Sequence, residues 1–318
     1  MRKDLLNDII CPHCNTGSFR LSIEKENKNE IRNGYIICNS CSEEYLINKG
    51  IPDFLVGNSK TLNDEQKGWD RLKHAVENTD ELMLSLPDAQ GQHKECWKGQ
   101  ADNFHYIFNK LNLSGNEKVL DLGAGRCWST RFFSKKGCLS VGLDILLPKY
   151  IGLETSDIYI ERENIYFERI RGSMDKLPFK RSIFDIVFMA ATLHHSSNIS
   201  KPLAEATRVL KDNGKLILIN ETVKGLLNRG NNCNPETEAG INENSYLLTK
   251  YIIELKKAGF ITDMQFWLGG NNRISMNMDS ILKKIFPKNF VDKYIWNIPK
   301  ALQLFLFGGV LNLIARKR

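Results

Sequence analysis

Three carboxylates and two glycines stand at the ends of apolar runs, where residues of these types can hold a ligand. Asp121, Gly123 and Gly125 close the run VLDLGAG at residues 119–125, Asp144 closes LSVGLDI, and Asp175 sits in GSMDKLPF. Glycines after an apolar run let the backbone turn tightly and approach a ligand where any Cβ would collide. A carboxylate at the end of the next run can accept hydrogen bonds from both hydroxyls of a ribose. The glycines continue as Arg126-Cys127-Trp128, with no G-x-G-x-x-G, so pyrophosphate binding is disfavoured. Each residue also has a plain structural use: the glycines can serve a turn, and Asp144 can cap a helix. Their joint spacing is what points to a cofactor site.

The elements that must position these residues follow from the pattern around them. Two further apolar runs, FDIVFMAAT and KLILINE, complete a series of short aliphatic and β-branched stretches separated by helical ones. That alternation predicts βαβ units feeding a buried parallel sheet, hence an α/β, doubly wound, Rossmann-like fold. Ligands of such sheets bind at the carboxyl ends of the strands, where the glycines and carboxylates fall.

Five ordered segments, VLDLGAG, VGLDI, GSMDKLPF, FDIVFMAATLHH and EATRVLKDNGKLILINE, resemble the class I S-adenosylmethionine-dependent methyltransferases. The likeness is to the members that act on small molecules, and it covers roughly residues 96–270 and the final strand. It implies a seven-stranded sheet and S-adenosylmethionine as cofactor. Asp121, Gly123 and Gly125 would line the methionine end, and Asp144 would hold the ribose. Asp175, with the backbone of Met174, would read the adenine, and Ala190 with its neighbours would face the donor methyl. One departure stands out: Cys127 occupies a position where many members carry a third glycine. The implied activity is methyl transfer to a small-molecule, sugar or lipid-linked acceptor. The alternatives are methylation of a ribosomal RNA base, and a non-catalytic scaffold of the same fold.

A sulfonium methyl is already electrophilic, so such an enzyme mainly aligns the acceptor. A hydroxyl acceptor also needs a group to take its proton. His194 and His195 follow the fourth run, where the acceptor would sit, and Glu221 at the end of the fifth is a second candidate. The competing reading gives the histidine pair a packing or hydrogen-bonding role.

Cys11-Pro12-His13-Cys14 and Cys38-Asn39-Ser40-Cys41 form two C-x-x-C knuckles 23 residues apart. This spacing can bring four thiolates around a structural Zn²⁺, with strands over Ser18–Glu24 and Gly34–Cys38 joining the knuckles. Two disulfides are the alternative. A module of this size has little apolar core of its own, so metal would supply much of its folding energy. Residues 9–55 also resemble the small zinc-ribbon proteins that partner and activate transfer-RNA and protein methyltransferases. Residues 1–60 hold eight basic and eight acidic side chains, which weighs against gripping nucleic acid and favours a structural or docking role.

The expected organisation is a ribbon at 1–57, a helical connector at 58–95 and a catalytic domain at 96–318. Inserts are expected at about 225–244, a candidate lid, and at 270–308, with a helix over Ser245–Ala258, a sixth strand over Ile261–Leu268 and a final strand over Val310–Arg316. The connector helix is expected to start near Asn63-Asp64-Glu65-Gln66. The opening residues lack the apolar stretch of a signal peptide, and Ala301–Ala315 is too short and interrupted to span a bilayer, so a cytoplasmic location is expected. Residues 271–318 carry nine Lys/Arg against Asp279 and Asp292, an excess equal to the whole chain's net charge of +7. Phe286, Phe290, Trp296 and Phe305 interleave with those lysines. The expectation is docking on an anionic surface, the inner face of a membrane before RNA, with a cap over the acceptor pocket and a solvated basic face over a packed aromatic core as the other readings.

Overall fold

A computed structural model describes residues 1–56, 60–73, 79–227, 235–260, 265–267 and 300–318. At its centre is a sheet of β5 (Lys118–Leu122), β6 (Leu139–Asp144), β7 (Glu168–Arg171), β8 (Phe184–Ala190), β9 (Leu210–Lys224), β11 (Gln265–Trp267) and β12 (Gly308–Arg316). Their spatial order is β11-β12-β9-β8-β5-β6-β7, with a two-residue β10 (Tyr246–Leu247) beside β9. The five strands from β7 to β9 run parallel, while β12 lies antiparallel between β9 and β11. The order reverses between β5 and β8, so ligands are expected above their carboxyl ends.

Alternation along each strand sorts the core into two layers, one on either face. Leu120, Val187, Met189, Leu216 and Leu218 join one cluster; Val119, Ile186, Phe188, Ile217 and Ile219 join the other. The first layer is closed by α6 (Ser200–Val209) and α8 (Leu248–Lys257), through Leu203, Ala206, Tyr251 and Leu255. The second is closed by α3 (Lys94–Leu111), α4 (Trp128–Lys135) and α5 (Asp157–Glu163). Ala101, Phe104, Ile107 and Leu111 form the buried stripe of α3, spaced three or four residues apart as an amphipathic helix requires.

The amino-terminal module has four antiparallel strands: β1 (Phe19–Asn27), β2 (Glu30–Cys38), β3 (Glu44–Asn48) and β4 (Ile51–Pro52). The expected pair is present but longer, and β3 and β4 are additional. This module is not a bead on a string. Met1, Leu5, Ile9, Ile36, Tyr45 and Phe54 share one apolar cluster with Leu120, Leu143 and Ile170 of the sheet. Asp53 bridges to Arg171 at the β7 edge, with the Phe54 amide donating to the Arg171 carbonyl at 2.8 Å and an ion pair of 2.7 Å between the Asp53 and Arg171 side chains. Ile9 pairs with Phe179 in a second bridge. The ribbon thus covers an edge strand that would otherwise expose unpaired backbone.

Several expected boundaries move, each for a tertiary reason. The connector helix α1 runs Lys60–Arg71, so Asn63–Gln66 lie inside it rather than at its start. Glu65 and Gln66 are held by the rest of the domain, through the Asn242 amide and the Ile145 carbonyl, and these contacts outweigh a local cap. A second connector helix, α2 (Asp80–Ser85), buries Leu82 and Met83. α8 starts three residues later than the expected Ser245, because Tyr246-Leu247 pair with Val223-Lys224 as β10. β12 starts at Gly308, two residues before the expected Val310.

Of the expected sixth strand over 261–268, residues 265–267 are described and pair with β12. Residues 228–234 of the candidate lid, and Lys283 through Trp296 of the basic insert, lie outside the described residues. What is described of that insert, α9 (Lys300–Phe307), buries Gln303, Leu304 and Phe307 against the domain. No described helix is long and apolar enough to cross a membrane.

Candidate active site at the carboxyl edge of the sheet

β5, β6 and β8 end side by side, and the turns that leave them build the first part of the candidate site. Gly123 has φ +68°, and a Cβ there would come within 2.1 Å of Thr192 Cγ2. Only glycine lets the β5 turn lie this close to the turn after β8. Gly125, at φ +48°, meets nothing nearer than the Ile151 carbonyl at 3.6 Å, so its exposed face is open to a ligand. Cys127 also adopts a left-handed conformation, φ +59°, although it is not glycine, and it is fully buried. The backbone shape of a glycine position is therefore kept at some cost in strain.

Asp144 is buried and accepts from the Gly125 amide on Oδ2 and from the Leu146 amide on Oδ1, both at 2.8 Å. Burial pushes its carboxyl above the ordinary value, and these amides pull the other way. Asp121 is buried beneath it. Its Oδ2 accepts from Ser129 Oγ and Thr130 Oγ1, each at 2.6 Å, which ties the end of β5 to the first turn of α4. Burial pushes the Asp121 carboxyl up to about 6, the two hydroxyls oppose this, and the Asp144 charge adds to it.

The Gly172 amide donates to the Asp144 carbonyl, which brings the loop after β7 to the same edge. There Asp175 is exposed on a tight Ser173–Lys176 turn, while Met174 is half-buried against the core. Ala190 ends β8 half-buried, and Ala191 turns the chain with φ +50°.

A second part of the candidate site is built around Glu221, which is wholly buried near the carboxyl end of β9. Its Oε1 accepts from the amides of Thr192 and Leu193 at 2.8 and 2.9 Å; its Oε2 accepts from the His194 amide and faces His194 Nδ1 at 2.9 Å. Burial would raise the Glu221 pKa, but the His194 charge and the backbone donors hold it below the ordinary value. For His194 burial disfavours the imidazolium, and Glu221, with Glu243 and Glu65 behind it, outweighs that and raises the pKa. The arrangement pins Nδ1 and leaves Nε2 facing Glu243 Oε2 at 3.7 Å. His195 lies against His194, ring centroids 4.5 Å apart, with Nδ1 bonded to the Asn242 carbonyl at 2.8 Å.

Four residues of this wall carry no sequence motif: Glu65 and Trp69 on α1, and Asn242 and Glu243 in the loop before β10. Glu65 Oε2 accepts from the Asn242 backbone and side-chain amides at 2.9 and 3.0 Å, across 177 residues of chain. Trp69 Nε1 donates to Glu65 Oε1, and its ring meets the His195 ring edge-on at 6.0 Å. The connector thereby forms the outer wall of this second part.

At the far end of the chain's first module, Cys11 Sγ lies 3.6 Å from Cys41 Sγ and Cys14 Sγ lies 3.6 Å from Cys38 Sγ. All four sulfurs fall within 4.8 Å of one another.

A methyltransferase domain family model matches residues 120–218, the stretch from β5 into β9 that carries this edge. Over 164 residues the chain is 29% identical to a demethylmenaquinone methyltransferase of Tropheryma whipplei, covering 52% of this chain and 62% of that protein. Over 109 residues it is 33% identical to a sarcosine/dimethylglycine N-methyltransferase of Aphanothece halophytica, covering 33% of this chain and 38% of that one. The chain thus spans less than two thirds of the length of these curated relatives. A solved structure of Haemonchus contortus phosphoethanolamine N-methyltransferase 2 in complex with S-adenosyl-L-methionine matches with a TM-score of 0.54 at 18% identity. That match covers 86% of this chain and 62% of the other, and it speaks to the fold alone. Sheet order, the turns at the carboxyl edge and the family match over residues 120–218 agree on a Rossmann-like methyltransferase fold for the central sheet.

Proposed function

We propose that this chain transfers the methyl group of S-adenosylmethionine to a small-molecule acceptor. The observation that carries the reading is the adjacency of two differently built sites on one sheet edge. On one side the Gly125 amide and the Asp144 carboxylate are already paired at 2.8 Å; on the other, Glu221 holds His194 in the turn after β8. In this reading Asp144 takes the ribose hydroxyls with its remaining lone pairs, Gly123 and Gly125 admit the methionine portion, and Asp121 supports the turn from below. Met174 and Asp175 meet the adenine, and Ala190 stands beside the donor methyl.

S-Adenosylmethionine supplies an electrophilic methyl, and the protein aligns the acceptor with the sulfur–methyl bond. His194 and His195 are the imidazoles on the acceptor side. Glu221 is assigned a holding role and not that of a base, since its oxygens already accept three amides and face the His194 ring. The relatives named for quinone and glycine-derivative methylation support a small-molecule acceptor. The balanced charge of residues 1–60 gives no basic face for RNA. Label transfer from methyl-labelled cofactor into metabolite extracts tests the activity, and failure to bind S-adenosylmethionine in calorimetry would sink it.

For the ribbon we propose one structural Zn²⁺ held by Cys11, Cys14, Cys38 and Cys41. Zn–S bonds of about 2.3 Å place tetrahedral sulfurs roughly 3.8 Å apart, and the observed separations of 3.6 Å fit that cage. A disulfide, with sulfurs about 2 Å apart, does not fit them.

A further inference from the structure

We propose that His194, His195 and Glu243, with Glu65 beside them, form a second metal site, one that binds a divalent transition-metal ion on the acceptor side of the sheet edge. Ligand atoms of the first three lie within 4.8 Å of one another. The individual separations are the stronger argument. His194 Nε2 to Glu243 Oε2 is 3.7 Å, His195 Nδ1 to Glu243 Oε1 is 3.5 Å, and His195 Nδ1 to Glu65 Oε1 is 3.4 Å. These are long for hydrogen bonds. They match the spacing of donors that share one ion, since bonds of about 2.1 Å in a tetrahedron put ligand atoms roughly 3.4 Å apart.

The groups that would hold the ligands in position are already in place. A ligating histidine ordinarily gives its other ring nitrogen to a carboxylate, which fixes the ring and its tautomer. Glu221 does this for His194: Nδ1 is taken at 2.9 Å and Nε2 is the atom turned toward Glu243. Glu65 is in turn held by Asn242, so the outer carboxylate is fixed as well. His195 would exchange its bond to the Asn242 carbonyl for the ion.

Charge points the same way. Three buried or half-buried carboxylates, Glu65, Glu221 and Glu243, surround two imidazoles. Among the described residues the ion-pair partners of these carboxylates are those imidazoles. A buried excess of negative charge calls for a cation. Imidazole with carboxylate suits zinc, cobalt, iron or manganese, and differs from the thiolate cage of the ribbon.

The consequence for function rests on the reading above only for where the acceptor sits. An ion held by these four side chains would take an acceptor oxygen as a fifth ligand, expanding from four- to five-coordinate, and lower its pKa. Because its ligands come from α1, the turn after β8 and the loop before β10, it would also fasten the connector over the acceptor.

Cobalt(II) chloride titrated into the full chain, its ribbon first loaded with one equivalent of zinc, tests the site without any turnover. The expected result is one cobalt per chain with weak visible bands and no near-ultraviolet thiolate band. Glu243→Gln and His195→Gln should each weaken it at least about tenfold, and Glu221→Gln by about 10–100-fold, with circular dichroism showing each variant folded. No cobalt bound beside the zinc, or equal affinity in the parent, Glu243→Gln and His195→Gln, would overturn the proposal. Both outcomes leave the methyltransferase reading to its own tests.

Discussion

Glu221 and His194 meet at 2.9 Å, one at the end of β9 and the other in the turn after β8, and neither would hold its place alone. The carboxylate is wholly buried and collects three amides of the 192–194 turn in addition to the ring. Removing it leaves those donors without a protein partner in a buried site. Glu221→Ala should therefore cost about 3–5 kcal/mol, the scale of breaking a buried charged pair from one side. Urea unfolding measures this, and a loss below about 1 kcal/mol would show that water takes over the role.

Asp144→Ala should weaken S-adenosylmethionine binding by about 2 kcal/mol, or roughly 30-fold, the scale of hydrogen bonds to a charged group. Calorimetry gives the number directly. Unchanged affinity would place the ribose elsewhere.

Asp121 should leave a signature in the pH dependence of stability. Its folded value of about 6 stands above that of an unfolded aspartate, so the native state holds the proton more tightly. The associated stability is fully present below about pH 4 and is lost as pH rises through about 6, on the order of 3 kcal/mol for this fully buried group. Asp121→Asn keeps an acceptor for Ser129 and Thr130 but cannot ionise. Denaturation between pH 4 and 7 should show a flatter profile for the variant, and parallel profiles would contradict the assignment.

Metal analysis of the ribbon should return one zinc lost on Cys38→Ser. Because Ile36, Tyr45 and Phe54 share a cluster with Leu120 and Leu143, the variant should lower a single melting transition of the whole chain. Two separate transitions would mean that the ribbon folds independently.

Gly123→Ala should abolish the native turn, since its Cβ would meet the Thr192 side chain at 2.1 Å in a conformation already unfavourable to L residues. Soluble protein with normal cofactor affinity would refute that geometry.

What the sequence determined by itself was the sheet and its inner edge. Short continuous apolar runs specify buried strands, and glycines and carboxylates at their ends specify which edge is open, because these signals are local and act within one βαβ unit. The cysteine knuckles belong to the same class: two short motifs with a readable spacing. The outer wall of the site was not legible. Glu65 and Asn242 are 177 residues apart; the helix signal at 63–66 and the insert at 225–244 mark their segments, and nothing local marks the two side chains as partners. Their meeting depends on where α1 lands once the sheet has formed, and likewise Trp69 reaches His195 only across that assembled surface. The ribbon's attachment is of this kind too. Nothing local in Asp53 or Arg171 announces a bridge; it follows from an edge strand whose backbone groups must be paired and an apolar ribbon face that must be covered. Long-range pairing of this sort is decided by burial of the assembled surfaces, a quantity that exists only in the tertiary structure.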